Sequence, residues 1–564
     1  MTYDLAVVFP VLLVITLGFD AMPLSFVLAM FVLPIAIVVV AVVSAGLSRR
    51  ADRSERERGG VMQEAPAAVS IAPDPYAVIA FVGYLAVVVA IGLYARRFSS
   101  AGVSEFFVGG RKMNRIVVAL SAVVSGRSAW LLLGVTGMAY SLGATAVWAV
   151  AGVALAEAIQ FSFYAQRLRR FSESYDCITL PDFFAARFDD RSGILRTVLI
   201  VVILIFMVGY VSAQLVGGGK AFAASFGLAP TAGILLTAMI VLAYTSVGGF
   251  LAVSLTDTVQ GFIMIGALVV VPIIAIVDLG GLAPLVTELR ALDPTLIDPV
   301  ALSAGVMIGF AGIGLGSPGN PHIIVRYMSI ADPAQLRVSA VVGTIWNVVM
   351  AWGAVFIGLT GRVYFPDVAM LPGADTEQLY PLLASRHLHP VFFGLVVASI
   401  FAAIMSTADS QLLVAASSVV RDFYEKILHR GETIPQKRLV LYSRLVIVLL
   451  VVAALGFGML AEDLVFWLVL FAWAGMGAAI GPTSILALFW RRTTRAGVIA
   501  GLITGTAVTI IWKTNPYLSP LIYELIPAFG AGLLATLVGS YLTLPPQGVD
   551  GMFDTMRGGR RSSS

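Results

Sequence analysis

Two polar clusters interrupt otherwise apolar stretches of this chain, and both have the residue types to handle ions. The first is Ser125-Gly126-Arg127-Ser128-Ala129-Trp130, inside an apolar run from Ile116 to about Tyr140. An arginine near the centre of a bilayer costs roughly 2.5–3.5 kcal/mol on insertion scales, so Arg127 must face protein, water or a solute path. Gly126 beside Ser125 loosens the backbone, and broken backbone persists at membrane depth only where it is buried or lines a cavity. The second cluster is Ser406-Thr407-Ala408-Asp409-Ser410-Gln411. It sets hydroxyls, a carboxylate and an amide in consecutive positions of one apolar run. Oxygen-rich ligation without thiol or imidazole suits a hard cation, and sodium shares that preference. Hydroxyls in membrane helices usually bond back to their own carbonyls; Asp409 tips the reading toward a cation site.

A third stretch, Gly312-Ile-Gly-Leu-Gly316-Ser317-Pro318-Gly319-Asn320-Pro321, closes an apolar run at about 299–318, five runs after the first cluster. Paired Gly/Pro-interrupted segments at matching places in two halves point to an inverted-repeat transporter with its site at the midplane. Such breaks free backbone N–H and C=O groups to bind an anionic solute end or a cation. Close helix packing is the other use of glycine in membranes. It accounts for one segment and leaves the spacing unexplained.

The surroundings fit that reading. Of 564 residues, 59% are hydrophobic and only 12% charged, against about 25% charged in soluble domains. The chain is therefore read as an all-α polytopic membrane protein whose solvent is the lipid bilayer. Its formal charge of +4 gives no footprint for nucleic acid. The single cysteine, Cys177, excludes an intrachain disulfide, and His322, His387, His389 and His429 are too scattered for a metal cluster. His387 and His389 read as a solvated loop pair. Apolar runs of spanning length recur at about 76–95, 115–140, 144–165, 194–216, 229–248, 257–279, 299–318, 338–361, 390–419, 440–460, 464–490, 496–512 and 523–543. Residues 1–47 read as an N-terminal membrane hairpin of one or two spans, 48–75 as a disordered linker, 76–545 as the core and 546–564 as a tail. Arginine and lysine crowd alternate loops, which the positive-inside rule places in the cytoplasm together with the C-terminus. Arg49–Arg58 falls on the other side by this count, against the rule. Thr179-Leu-Pro-Asp182-Phe-Phe reads as the start of an interfacial helix, with Pro181 in its first turn.

The motifs Phe106-Phe-Val-Gly-Gly-Arg111, Ser128-Ala-Trp130-Leu-Leu-Leu-Gly134, Thr179-Leu-Pro-Asp182, Gly248-Gly-Phe-Leu-Ala-Val-Ser254-Leu-Thr-Asp257, Pro321-His322-Ile, Met405-Ser-Thr407 and Ala472-Trp-Ala-Gly475 span nearly the whole core. Together they resemble the sodium:solute symporter family, and within it the sodium/proline branch. The resemblance implies a five-plus-five inverted repeat of about 13 core spans, with solute and sodium bound mid-membrane. It implies a cation site on the first repeat helix, at the carbonyl of Val124 with Gly126 and Arg127, and on the eighth, at Ala403, Ser406 and Thr407, with Asp409 alongside. The solute side matches at Ser128, Trp130, Tyr210 and Pro321. Asp257 matches a carboxylate linked to coupling or to a second cation, with Glu157 a further intramembrane carboxylate; a helix-capping role for Ser254 or Asp257 is the structural alternative.

Two departures qualify the resemblance. Sodium/proline porters carry Ser-Asp-Met-Ser where this chain has Ser125-Gly126-Arg127-Ser128, so a carboxylate is lost and a permanent cation gained. Arg127 either pairs with Asp409 or Glu157, or offers its guanidinium to a solute carboxylate. In the first case coupling is lost or passes from Na+ to H+. In the second, Na+ coupling persists. Ile313 and Ser317 stand where the porters have aromatic walls, which widens or repolarises the solute pocket. The expected activity is cation-coupled symport of a small organic solute, an amino acid such as proline or a related carboxylate or zwitterion, across a bacterial inner membrane. A non-transporting solute sensor and an uncoupled facilitator are the other classes. No span joins a nucleophile to a base, so no enzyme is expected, and no cofactor beyond the coupling ion.

Overall fold

The computed structural model describes residues 71–99, 102–460 and 464–558. The expected hairpin at 1–47, the linker up to residue 70 and the end of the tail lie outside the described residues. Within them the chain is helical, and its one β-type contact is an isolated bridge between Met113 and Ile330. Nine helices among the described residues are long and apolar enough to cross a membrane, and four shorter apolar helices accompany them.

The helices that position the polar clusters are α1 (Pro75–Ser99), α2 (Arg115–Ser125), α3 (Thr136–Leu142), α4 (Val147–Ile159), α5 (Ala165–Ser174), α6 (Leu180–Arg187), α7 (Ile194–Phe226) and α8 (Pro230–Asp278). They continue with α9 (Ala304–Ala311), α10 (Pro321–Ser329), α11 (Leu336–Tyr364), α12 (Pro390–Ser417), α13 (Gln436–Gly458), α14 (Val465–Phe489), α15 (Arg495–Thr514), α16 (Leu525–Tyr541) and α17 (Val549–Arg557). Each expected apolar run falls on one or more of these; 115–140 is divided between α2 and α3, and 299–318 holds α9 and the coil that follows it. The two runs at 229–248 and 257–279 are joined in α8, which turns sharply at Gly249 (φ 60°, ψ −166°). That backbone value lies where glycine alone is unstrained.

Helices α12 and α14 form the centre. Their faces are buried nearly all round, as helices must be when protein rather than lipid surrounds them. Helix α12 packs against α1, α7 and α8, while α14 packs against the Gly312–Gly319 segment and against α15, which lies beside α16. Glycine allows the tightest crossings. A Cβ at Gly152 on α4 would lie 2.0 Å from the Ala311 carbonyl oxygen, and one at Gly314 would lie 2.2 Å from the Gly152 carbonyl oxygen.

Two expectations are corrected. Helix α6 begins with Thr179 capping through its hydroxyl and with Pro181 in the first turn, as foreseen. It is not an interfacial helix, however: Leu180, Pro181, Asp182, Phe183, Phe184 and Arg187 are all buried. Its apolar side chains pack on protein, where an interfacial helix would present them to lipid. Within the tail, residues 549–557 form α17 against α5, with Phe553 under the guanidinium groups of Arg187 and Arg491. His387 is not solvated; it ends the Leu379–His387 helix, buried against Tyr364 and within 3.5 Å of Asp278.

Candidate functional site

The first break forms because α2 cannot continue past Gly126. The Gly126 and Arg127 amides bond back to Val123 and Val124 at 3.1 and 3.0 Å. Ser128 then takes a left-handed conformation, φ 42°, which costs a non-glycine residue of order 1–3 kcal/mol and recurs at functional sites. The freed amide of Ala129 is satisfied by Gln214 Oε1 of α7 at 2.9 Å. A wide turn over Trp130–Val135 leads into α3. The second break is a tight coil over Gly312–Gly319, after which Asn320 is extended and Pro321 restarts the helix as α10. Pro321 suits that place because the first amide of a helix lacks an intrahelical partner.

The hydroxyls of α12 meet the first break. Thr407 Oγ1 donates to the Ser125 carbonyl at 2.8 Å. Ser406 Oγ lies 3.1 Å from the Ala403 carbonyl oxygen and 3.5 Å from that of Val124. Val124, Ala403, Ser406 and Thr407 thus bring two carbonyl and two hydroxyl oxygens together, all fully buried.

Arg127 does not join them. Its guanidinium pairs with Glu157 of α4, whose Oε2 also accepts from Asn347 Nδ2 of α11 at 2.9 Å. A Cβ at Gly126 would lie 3.5 Å from Glu157 Oε1 and 3.1 Å from the Ile323 side chain. A carboxylate at position 126 would therefore meet the one at 157. The lost acid and the gained arginine of the motif go together: no carboxylate stands at the break, and a buried Arg–Glu pair stands beside it.

Asp257 is not a helix cap. It sits inside α8 beyond the kink, fully buried. Its Oδ2 accepts from Ser121 Oγ at 2.6 Å, Ser125 Oγ at 3.2 Å and Arg326 Nη2 at 3.3 Å. Arg326 also donates to Ser410 Oγ, which reaches the Ser406 carbonyl at 2.6 Å. A polar chain thereby links Asp257 to the hydroxyl cluster. Asp409 accepts from Tyr244 OH of α8 at 2.7 Å and from Ser410 Oγ at 3.0 Å, with no arginine on it.

On the expected solute side, Tyr210 OH lies 3.5 Å from Ser128 Oγ, and the Tyr210 ring stands edge-on to His322 with centroids 5.8 Å apart. His322 follows Pro321 directly. The Trp130 ring stacks on Phe466 at 6.2 Å. Ser317 is buried, with its hydroxyl unpartnered and its carbonyl accepting from Gln160 Nε2 at 3.3 Å. Nitrogen or oxygen atoms of Trp130, Gln160, Gln214, Ser317, Asn320 and His322 lack hydrogen-bond partners among the described residues. Buried polar groups rarely stay unpaired, and a polar solute or water is what would pair them.

The aromatic wall missing at 313 and 317 is partly supplied from α14. Trp473 Nε1 donates to the Ile313 carbonyl at 2.8 Å, and its ring occupies the place where a Cβ on Gly316 would fall. Sequence reasoning missed Gln160, Gln214, Asn347 and Arg326. Gln160, Gln214 and Asn347 are polar side chains inside apolar helices, the same signal that singled out Arg127; Arg326, counted from the sequence among the loop arginines, is instead buried on the short α10.

A model of the Sodium:solute symporter family matches residues 106–505. The High-affinity proline transporter PutP of Bacillus subtilis is 39% identical over 468 residues, covering 82% of this chain and 98% of that protein. The Osmoregulated proline transporter OpuE of the same organism is 37% identical, covering 82% and 94%. A Sodium/proline symporter of Staphylococcus aureus is 38% identical, covering 82% and 92%. Among solved structures, a Na+-coupled sialic acid symporter matches with a TM-score of 0.73 at 20% identity, over 84% of this chain and 98% of that one. That likeness carries the fold, with the two broken helices at the centre of an inverted repeat. The chain is an integral membrane protein and a transporter, and it belongs to the sodium:solute symporter family.

Proposed function

We propose that this protein moves a small zwitterionic amino acid, with proline the first candidate, in symport with Na+ across a bacterial inner membrane, its C-terminus cytoplasmic. The observation that carries the proposal is the meeting of Ser406 and Thr407 with the Val124 and Ser125 carbonyls at the break between α2 and α3. Sodium replaces the Ser406 and Thr407 hydroxyl protons as the partner of those oxygens and ties α12 to the break. Ion binding then favours one of two arrangements of the helices around a fixed midplane site. The solute lies between Ser128, Trp130, Tyr210, Ser317 and Pro321, where unpartnered donors and acceptors gather. Three relatives of similar identity are named as proline transporters or symporters, which places proline first.

Arg127 pairs with Glu157, the case for which loss of Na+ coupling or its passage to H+ was expected; Na+ is retained in this proposal because, among the described residues, the guanidinium bonds to Glu157 and not to Val124, Ala403, Ser406 or Thr407. A proton-coupled reading in which the guanidinium stands in for the ion lacks the contact it requires. Uptake of radiolabelled proline into proteoliposomes, under a sodium gradient, a proton gradient or neither, tests the proposal. Accumulation only under the sodium gradient is expected. Accumulation under the proton gradient alone would overturn the choice of ion, and failure of proline beside uptake of another solute would overturn the choice of substrate.

A further inference from the structure

A second charged cavity lies well away from the breaks, at the end of the helices opposite the arginine-rich loops. It has a volume of about 360 Å³ and sits between the outer turns of α9 and α14 and the segment joining α15 to α16. Phe310, Trp467, Leu470, Lys513, Tyr523 and Glu524 line it. Ligand pockets for small molecules fall at about 300–1,000 Å³. The joining segment is held firmly: Trp512 Nε1 donates to the Ile522 carbonyl at 3.1 Å, and Tyr523 OH to the Leu470 carbonyl at 2.6 Å. The cavity walls are therefore fixed by side-chain bonds rather than formed by a loose loop.

The charges inside are unusual. Glu524 is only 5% exposed. It stands at the start of α16, yet its side chain caps none of that helix's amides. Its carboxylate accepts from its own backbone amide, no side chain of another described residue hydrogen-bonds to it, and Lys513 acts on it across the cavity without forming an ion pair. The Lys513 ammonium rests 5.6 Å from the centre of the Trp467 ring. A buried carboxylate without a cationic partner is costly, and leaving it so near an unpaired ammonium makes sense where a third group bridges the two.

We propose that this cavity is an entry site for a zwitterion, which meets the protein here before it reaches the midplane. The carboxylate of the solute faces Lys513, its ammonium faces Glu524, and its apolar body lies on Trp467 and Phe310. A small amino acid or betaine carries both charges, whereas a monocarboxylate would satisfy Lys513 and leave Glu524 unpaired. The inference rests on the zwitterion reading of the transported solute and adds a second place for it.

The test is equilibrium binding of radiolabelled proline to the purified full chain in lipid nanodiscs, beside uptake in proteoliposomes, for wild type, E524Q, K513Q and K513R. The expected result is a second proline equivalent on the wild type that E524Q and K513Q lose and K513R keeps. Uptake by E524Q and K513Q should show half-saturation raised about fivefold or more at unchanged maximal rate, the signature of lost ground-state binding. A purely structural Lys513–Glu524 pair would alter thermal stability and leave the stoichiometry at one. One equivalent on the wild type, or two that survive in E524Q, overturns the entry site, and the wild-type count decides even if a variant fails to fold. Absence of sodium-driven proline uptake, by contrast, overturns the function proposed above and this inference with it.

Discussion

Arg127 of the first break and Glu157 of α4 form an ion pair with both side chains almost wholly buried. Asn347 of α11 supplies a further hydrogen bond to the same carboxylate. The pair ties the broken helix to two neighbours at the depth where the cation and the solute are expected. Desolvating two charges costs about as much as their attraction returns, but removing one partner leaves a bare buried charge and costs about 3–5 kcal/mol.

R127M and E157Q should therefore each lose most of their thermal stability margin and most uptake, while the double variant R127M/E157Q recovers part of both. Gly126→Asp, which restores the acid of the proline porters, should fail alone because its Cβ would lie 3.5 Å from Glu157 Oε1 and set a second carboxylate beside that one. Combined with R127M and E157Q it should be tolerated. A thermal-shift series on the purified variants, run beside proline uptake, checks both halves. Equal damage from the single and double variants would mean that the pair does not act as a unit.

The cation site makes a sharper demand. Thr407→Val keeps the shape of the side chain and removes the hydroxyl that reaches the Ser125 carbonyl. Half-saturation for sodium should rise tenfold or more, a loss of about 1.4 kcal/mol or greater, while solute half-saturation at saturating sodium changes little. Ser406→Ala should behave in the same way. Sodium titrations of uptake at fixed solute measure this directly. An unchanged sodium curve for both variants would remove these hydroxyls from the ion's shell.

Much of this was legible in the sequence, for a physical reason. A polar or charged residue in an apolar run is expensive, so Arg127, Glu157, Asp257 and Asp409 announced themselves, and the Gly/Pro breaks marked where backbone had to be freed. Which carboxylate Arg127 would choose was not legible. The choice depends on where α4 lies, and Gly152 and Gly314 pack α4 backbone to backbone against the Gly312–Gly319 segment. Nor was the buried face of α6, because its short apolar segment reads alike whether lipid or protein covers it. Trp473 was visible only as one aromatic among several in α14. Its filling of the space beside Gly316 depends on a contact between segments far apart in the chain.

The glycine crossings give their own test. Gly152→Ala and Gly314→Ala would each drive a methyl into a carbonyl oxygen at about the distance of a covalent contact, 2.0 and 2.2 Å. Helices α4 and α9 would have to separate, so each variant should lose about 1–3 kcal/mol or more of stability and fail in transport. Gly209→Ala in α7 meets nothing within 4 Å and should be neutral or slightly stabilising, since alanine favours the helix by about 1 kcal/mol. Melting temperatures of the three variants settle the contrast. Similar losses at 152 and 209 would show that helix propensity rather than crossing distance governs.

At the end of the helices that carries the arginine-rich loops, Arg196 bridges Asp182 of α6 to Asp422 beyond α12, and Thr179 Oγ1 donates to Asp422 at 2.9 Å. Beside this network Thr179, Leu180 and Pro181 of α6 line a small cavity with Arg326 and Ser417. Burial pushes the Asp182 carboxyl up, but Arg196 and Arg421 outweigh it and hold the group below the usual carboxylate range. A depressed carboxylate stabilises the folded state fully above the ordinary carboxylate value, and that stabilisation is lost progressively as pH falls from there to the group's own lowered value. Asp422 shares Arg196 with Asp182, so the comparison is made at one pH: hydrogen-exchange protection of residues 180–187 at about pH 7, corrected for intrinsic rates, should be lower in D182N than in the wild type. Cys177 supplies an independent readout, being buried beside this lock with its thiol pushed up by burial. Maleimide labelling of Cys177 should be slow in the wild type and about tenfold faster or more in D182N and R196Q, the change expected when a closed arrangement loses about 1.4 kcal/mol against an open one. Equal labelling rates in all three proteins would show that this network stabilises the fold without controlling access from that face.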